Sequence, residues 1–237
     1  MDPSILIFDT PWEAAAACGV RILEILNQVR KDRGGATFAV SGGSTPKLMF
    51  EAMAKRPFQW QGIELFQVDE RCVPPDNIES NFRMIRQSLL NNSSIDEKQF
   101  HRVKAELEPA EAVREYIDEI RKVFQLNRDA PPVFDVIQRG MGPDAHTASL
   151  FPGEPLIENR TGIAAVVYVE KFKQHRVTLL RAVLEQARHT LCLATGEEKA
   201  EALSRVLNTP FNPLRLPSQI SSANTVWFID KAAASRL

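Results

Sequence analysis

The chain has 237 residues, 44% of them hydrophobic and 25% charged, with a formal net charge of -1. These values fit a single globular α/β domain over residues 1–237 and remove any bulk electrostatic case for nucleic acid or an anionic membrane as partner, so an anionic ligand must be held by a local site. No apolar run is long enough to span a bilayer and no basic-plus-apolar leader is legible; the expectation is a cytoplasmic protein, monomeric or a small homo-oligomer.

Ile5 to Phe8 reads as a short strand. Thr10-Pro11-Trp12-Glu13 then has the pattern of a capping box with proline at the first helical position. Apolar residues recur at helical spacing at Ala15, Cys18, Ile22, Ile25, Leu26 and Val29, and Gly34-Gly35 ends the helix. Ala36 to Val40 is a buried strand, and Ser41-Gly42-Gly43-Ser44-Thr45-Pro46 leads into a helix through about Lys55. Ile63 to Val68 is the next strand, ending in Asp69-Glu70-Arg71. Ser80 caps a helix carrying Met84, Ile85 and Leu89, and Pro109 opens another with Val113, Ile117, Ile120 and Phe124. Val133 to Ile137 and Ile163 to Val169 are strands, and Leu191 to Ala194 is strand-like. Glu197 to Leu207 is helical, and Thr225 to Ile229 is a last strand before a short C-terminal helix. Repeated strand–helix alternation predicts an α/β fold with a mostly parallel sheet covered by helices on both faces.

Three polar segments begin where an apolar strand ends: Ser41 to Pro46, Asp69 to Arg71, and Gly140 to Ser149. In an open parallel sheet those carboxyl ends lie along one edge, where ligands bind. In the first, Gly42 and Gly43 let backbone approach an anion, Ser44 and Thr45 offer hydroxyls, and a helix N-terminus follows. Its ending is not that of a nucleotide-triphosphate loop; the bland alternative is a strand-to-helix turn with Thr45 as N-cap. Lys199 and Arg176 are further anion candidates, Arg176 because guanidinium binds phosphate in a bidentate fork. Arg71 is a candidate substrate clamp with Asp69 or Glu70 orienting it, against the alternative of an ion-paired turn.

Gly140-Met141-Gly142-Pro143-Asp144-Ala145-His146-Thr147-Ala148-Ser149 exposes polar groups after a strand. His146 is placed to move protons near neutral pH, and Asp144 can set its tautomer and raise its basicity. Thr147 and Ser149 are read as caps or substrate contacts. His101, His175 and His189 show no ligand spacing with His146 and are read as structural, so neither metal nor cofactor is expected. Cys18, Cys72 and Cys192, odd in number and widely separated, are read as buried small hydrophobes.

On these segments, with Ser80-Asn81, Arg176-Val177-Thr178-Leu179 and Gly196 to Ala200 in the same order, the chain resembles the 6-phosphogluconolactonases. The Asp-x-His-Thr-Ala-Ser-Leu-Phe-Pro run is the most specific match. The resemblance implies a Rossmann-like fold shared with glucosamine-6-phosphate deaminases. It implies metal-free hydrolysis of 6-phospho-D-glucono-1,5-lactone to 6-phosphogluconate in the oxidative pentose phosphate pathway. Gly43, Ser44, Thr45, Arg176 and Lys199 would then hold the phosphate, Arg71 with Asp69 would position the sugar, and His146 would be the acid/base. Two departures stand out. Ala145 replaces the family's glycine, which is strained if the position needs positive φ. Gln138-Arg139 interrupt a strand that is apolar in the family, and Arg139 either serves as a salt-bridge partner or alters substrate contacts. The rival readings are an amino-sugar-phosphate isomerase/deaminase and a non-catalytic sugar-phosphate-binding domain.

Overall fold

Thr10 opens the first helix as its sequence predicts: its hydroxyl accepts from the Glu13 amide, the Glu13 carboxylate accepts from the Thr10 amide, and Pro11 takes the first helical position. The computed structural model describes residues 4–126 and 130–237. Its strands are β1 (Ser4–Phe8), β2 (Ala36–Val40), β3 (Ile63–Gln67), β4 (Asp69–Arg71), β5 (Phe100–His101), β6 (Val136–Gly140), β7 (Ala164–Val169), β8 (Gln174–Leu179), β9 (His189–Ala194) and β10 (Thr225–Asp230). Its helices are α1 (Pro11–Arg33), α2 (Ser44–Ala54), α3 (Asn81–Ser88), α4 (Pro109–Phe124), α5 (Arg181–Gln186) and α6 (Ala200–Asn208).

Seven strands form one sheet in the order β1-β10-β9-β6-β2-β3-β5, and every neighbouring pair is parallel. Successive strand residues face opposite sides, so Phe38 and Val40 of β2 pack with α1 to α3 while Ala39 joins the core beneath α4 and α5. A third cluster, with Cys192, Trp227 and Ile229, is covered by α6. The expected two-sided cover is present. No helix among the described residues is long and apolar enough to cross a membrane.

Asp69-Glu70-Arg71, read as a polar segment beyond the end of a strand, is itself strand β4 of a second, antiparallel sheet ordered β4-β8-β7. Val68 is the switch: its amide donates to the Val40 carbonyl of the large sheet, and its carbonyl accepts from Leu179 at the end of β8. The strand read at Val133 to Ile137 is displaced to Val136–Gly140, because Asp135 turns its carboxylate onto the Thr37 amide at 2.9 Å and onto Arg33 and Arg188. β5, β8 and α5 were not among the predicted elements, and residues 231–236 form turns rather than the expected C-terminal helix. Cys18 and Cys192 are buried as expected, but Cys72 is only partly covered. His101 is structural: its two ring nitrogens face Glu64 and Glu119 at 2.7 and 2.8 Å.

Glu70 ties β4 to α3. One carboxylate oxygen accepts from the Arg71 and Asn81 amides, both at 2.8 Å; the other accepts from Gln67 Nε2 at 2.7 Å, Ser80 Oγ at 3.3 Å and the Phe82 amide. Burial pushes its carboxyl up, while the amide donors from Phe82, Asn81 and Arg71 act the other way. Glu70→Gln removes the buried charge but turns an NH2 group towards donors whichever way the amide lies. With each unsatisfied buried donor costing about 1–3 kcal/mol, the net expectation is a loss of about 3 kcal/mol. For a chain of this size that is a Tm lower by roughly 6–12 °C in a thermal melt. An unchanged Tm would mean the network does not hold β4 in place.

Candidate active site

The carboxyl ends of β2, β3, β6 and β9 surround a cleft of about 200 Å³. Of the site residues read from the sequence, Gly42, Gly43, Ser44, Thr45, Asp69, Arg71, His146, Arg176 and Lys199 all line it. Asp144 stands one step behind. Its Oδ1 lies 2.5 Å from His146 Nδ1 and also accepts from the His146 amide at 3.2 Å. Partial burial alone would push the Asp144 carboxyl up, but the hydrogen bonds and charge of His146, helped by Lys171 Nζ at 3.7 Å, hold it well below the usual carboxylate range. An ionised Asp144 keeps a proton on Nδ1, which leaves Nε2 as the ring's acceptor. The ring stacks on Phe151 with centroids 4.2 Å apart, which fixes its plane.

Room for this pair comes from Gly142. A Cβ there would lie 2.0 Å from His146 Nδ1 and 2.7 Å from Asp144 Oδ1. Gly142→Ala must push the dyad aside. A displacement of about 1 Å at a reacting group is worth about 10²-fold, so kcat should fall by roughly that factor while KM stays close to its original value. Steady-state kinetics on the variant check this; a KM effect alone would place Gly142 in substrate binding instead.

Ala145 does occupy the left-handed region, at φ 66°, the conformation that glycine takes freely. The strain costs about 1–2 kcal/mol. It is offset in part, because the methyl is fully buried in the cluster under α6, a contribution of about 0.8 kcal/mol.

The opposite wall is cationic. Arg71 and Arg176 are Cα partners across the antiparallel β4–β8 pair, so two guanidinium groups stand side by side. Like charges in direct register are unfavourable unless an anion lies between or above them. Burial lowers the pKa of Arg176; nearby Asp69 opposes that and Arg71 adds to it. Nε of each arginine has no partner. Arg176 is held flat by Phe172 and Phe151, at 4.8 and 5.8 Å from the ring centroids. Lys199 projects from a 3-10 turn (Glu197–Lys199) that precedes α6 and lies 3.8 Å from Glu198, its only ion-pair partner among the described residues. Gly43, at φ 121°, is the N-cap of α2, so the first amides of that helix are open towards the cleft.

Several side chains do something other than expected. Thr45 is not the N-cap; its hydroxyl meets that of Thr195 at 2.8 Å, joining the β2–α2 and β9–α6 turns. Gly42 is needed for Asn81, whose Oδ1 would lie 1.9 Å from a Cβ there. Asp69 accepts from Ser149 Oγ at 2.7 Å, and no hydrogen bond joins it to the His146–Asp144 pair. Ser149 and Thr147 are buried ties, not substrate contacts or caps. Arg139 has no carboxylate partner among the described residues, so it is not a salt-bridge partner, and it does not line the cleft itself. Asn81, Met141 and Thr195 line the cleft and were missed. Thr195 was within reach, since the rule that picked three strand ends applies equally to β9.

This arrangement defines an α/β enzyme whose cleft opens on the carboxyl edge of a parallel sheet. The model of the family described as glucosamine-6-phosphate isomerases/6-phosphogluconolactonase matches residues 9–227, and the chain belongs to that family. Relatives include the 6-phosphogluconolactonases of Bos taurus, 35% identical over 98% of this chain and 93% of its own length, and of Haemophilus influenzae, 34% identical over 84% and 86%. Among solved structures, 6-phosphogluconolactonase from Trypanosoma cruzi superposes with a TM-score of 0.88 at 27% identity, covering all of this chain and 98% of that one. A monomeric glucosamine-6-phosphate deaminase, 16% identical with a TM-score of 0.84, shares the fold.

Proposed function

We propose that the protein hydrolyses 6-phospho-D-glucono-1,5-lactone to 6-phosphogluconate, the lactonase step of the oxidative pentose phosphate pathway, as one domain over residues 1–237. The observation that carries the reading is the joining in one cleft of a carboxylate-backed histidine, His146 with Asp144 at 2.5 Å, to the cations Arg71, Arg176 and Lys199. Neutral His146 takes a proton through Nε2 from a water as that water attacks the lactone carbonyl. The bond from carbonyl carbon to ring oxygen then breaks, and the imidazolium returns the proton to the leaving ring oxygen. Ser44, Thr45 and the first amides of α2, with Arg176 and Lys199, hold the phosphate. Arg71, steadied by Asp69, positions the sugar. The scheme uses no metal ion.

The rival isomerase/deaminase reading draws on the shared family model and on a deaminase structure only 16% identical, whereas the lactonases of Synechocystis and Bos taurus match at 33% and 35% identity over most of the chain. One assay separates them. Freshly generated lactones, phosphorylated and unphosphorylated, are hydrolysed with the spontaneous rate subtracted, and ammonia release from glucosamine-6-phosphate is followed in parallel. Two charge-assisted bonds to the phosphate, at about 1.5–3 kcal/mol each, predict kcat/KM about 10²–10⁴-fold higher for the phosphorylated lactone. Equal rates would remove the phosphate assignment; ammonia release would favour the deaminase; binding without turnover would leave a sensor.

A further inference from the structure

We propose that Arg139 is a positioning residue for His146, a role that rests on His146 being the acid/base. Arg139 is 1% exposed at the end of β6, directly before the turn that carries the histidine. A guanidinium taken out of water without a counter-charge persists only where its N–H groups are well used. Here Nη1 donates to Thr147 Oγ1 at 3.0 Å, and Nη2 donates to the Ser218 carbonyl at 3.4 Å and to the Ile220 carbonyl. Nε makes no bond.

Every oxygen acceptor belongs to the His146 turn or to the segment Ser218 to Ile220 that braces it, and the Cys192 thiol of β9 is the one further neighbour. Ser218 Oγ donates to the His146 carbonyl at 3.0 Å, and the Ser218 amide donates to the Ala145 carbonyl at 3.0 Å. Thr147 Oγ1 passes its own proton on to the Gly140 carbonyl at 3.0 Å. The turn itself is conformationally costly: Ala145 and Ala148, at φ 66° and 52°, are both non-glycine residues in the left-handed region, and they flank His146 and Thr147. Such strain survives only where the surroundings over-determine it. Arg139 supplies that constraint, gathering the turn and its brace onto one rigid fork.

The test compares R139M, which keeps the stem and removes the fork, with R139K and S218A. It uses kcat, KM and the NMR signals of the His146 imidazole across pH, with His101, His175 and His189 as internal references. In folded R139M, kcat should fall about 10²-fold with KM within about twofold, and the His146 signals should shift or broaden while the other three hold. R139K, which can still reach part of the acceptor set, should recover some of the loss. Unchanged His146 signals in folded R139M overturn the proposal. If R139M does not fold, S218A decides: a shifted His146 signal with kcat about 3–10-fold lower supports it, and an unshifted signal overturns it. H146N keeps the two readings apart. Should H146N retain turnover, the acid/base assignment fails, while the imidazole signals of R139M still report whether Arg139 holds the turn.

Discussion

His146→Asn is expected to lower enzyme-catalysed lactone hydrolysis by about 10²–10⁴-fold, the range that a positioned acid/base supplies, with KM for the phosphorylated lactone nearly unchanged. Asparagine still offers a polar group near Asp144, so the fold of the turn should survive and the loss should fall on kcat. The dyad explains why the effect concentrates on one ring. His146 Nδ1 is committed to Asp144, the ring face is packed on Phe151, and the remaining nitrogen is the one at the cleft. Asp144→Asn should cost less than His146→Asn but in the same direction, because a neutral partner no longer fixes the tautomer. The Asp144 carboxyl is held low in the folded state, so its contribution to stability is fully present above about pH 4 and is lost only as the solution becomes more acidic than that. A turnover for His146→Asn near the original value, with the spontaneous rate subtracted, would end the acid/base assignment.

Much of this site was legible because strand ends are legible. A buried apolar run followed by glycine and hydroxyls marks where a parallel strand stops, and in this topology all such stops face one crevice. The capping box at Thr10 and the cap at Ser80 were equally local, needing only residues three apart. What the sequence hid was non-local. Asp69-Glu70-Arg71 carries the composition of a turn, yet it pairs as a strand because β8, about a hundred residues later, offers an unpaired edge. Arg139 reads as an intrusion into an apolar strand, with a salt bridge or altered substrate contacts as its alternatives. It is buried because the segment near Ser218 folds back over it with carbonyls to spare. The partnership of Arg71 with Arg176 exists only in the register of two strands, which no spacing in the chain encodes. Asn81 was hidden for a related reason: its value to the cleft depends on Gly42 lacking a side chain.

The arginine pair leads to the other large expectation, in which activity and stability move in opposite directions. Arg176→Met keeps an unbranched side chain between Phe151 and Phe172 but removes a guanidinium that burial disfavours and that stands opposite Arg71. A base whose pKa is lowered by folding costs stability at neutral pH, so the unliganded variant should melt no lower than the parent and up to about 4 °C higher per kcal/mol of relief. Asp69 favours the charge on Arg176, but it keeps its hydrogen bond from Ser149, so its loss of one cation subtracts little. Substrate capture moves the other way. Losing a buried charge-assisted contact costs about 2–4 kcal/mol, which lowers kcat/KM for the phosphorylated lactone by about 30- to 10³-fold and leaves the unphosphorylated lactone almost unaffected. Ligand binding ties the two effects together, since a ligand held at about a hundred times its Kd stabilises the folded state by about 2.7 kcal/mol. Inorganic phosphate or 6-phosphogluconate should therefore raise the Tm of the parent and fail to do so for Arg176→Met at the same concentration. A variant that melts several degrees lower yet keeps its kcat/KM would make Arg176 a structural strut, and the clustering of Arg71, Arg176 and Lys199 would need a purpose other than holding an anion.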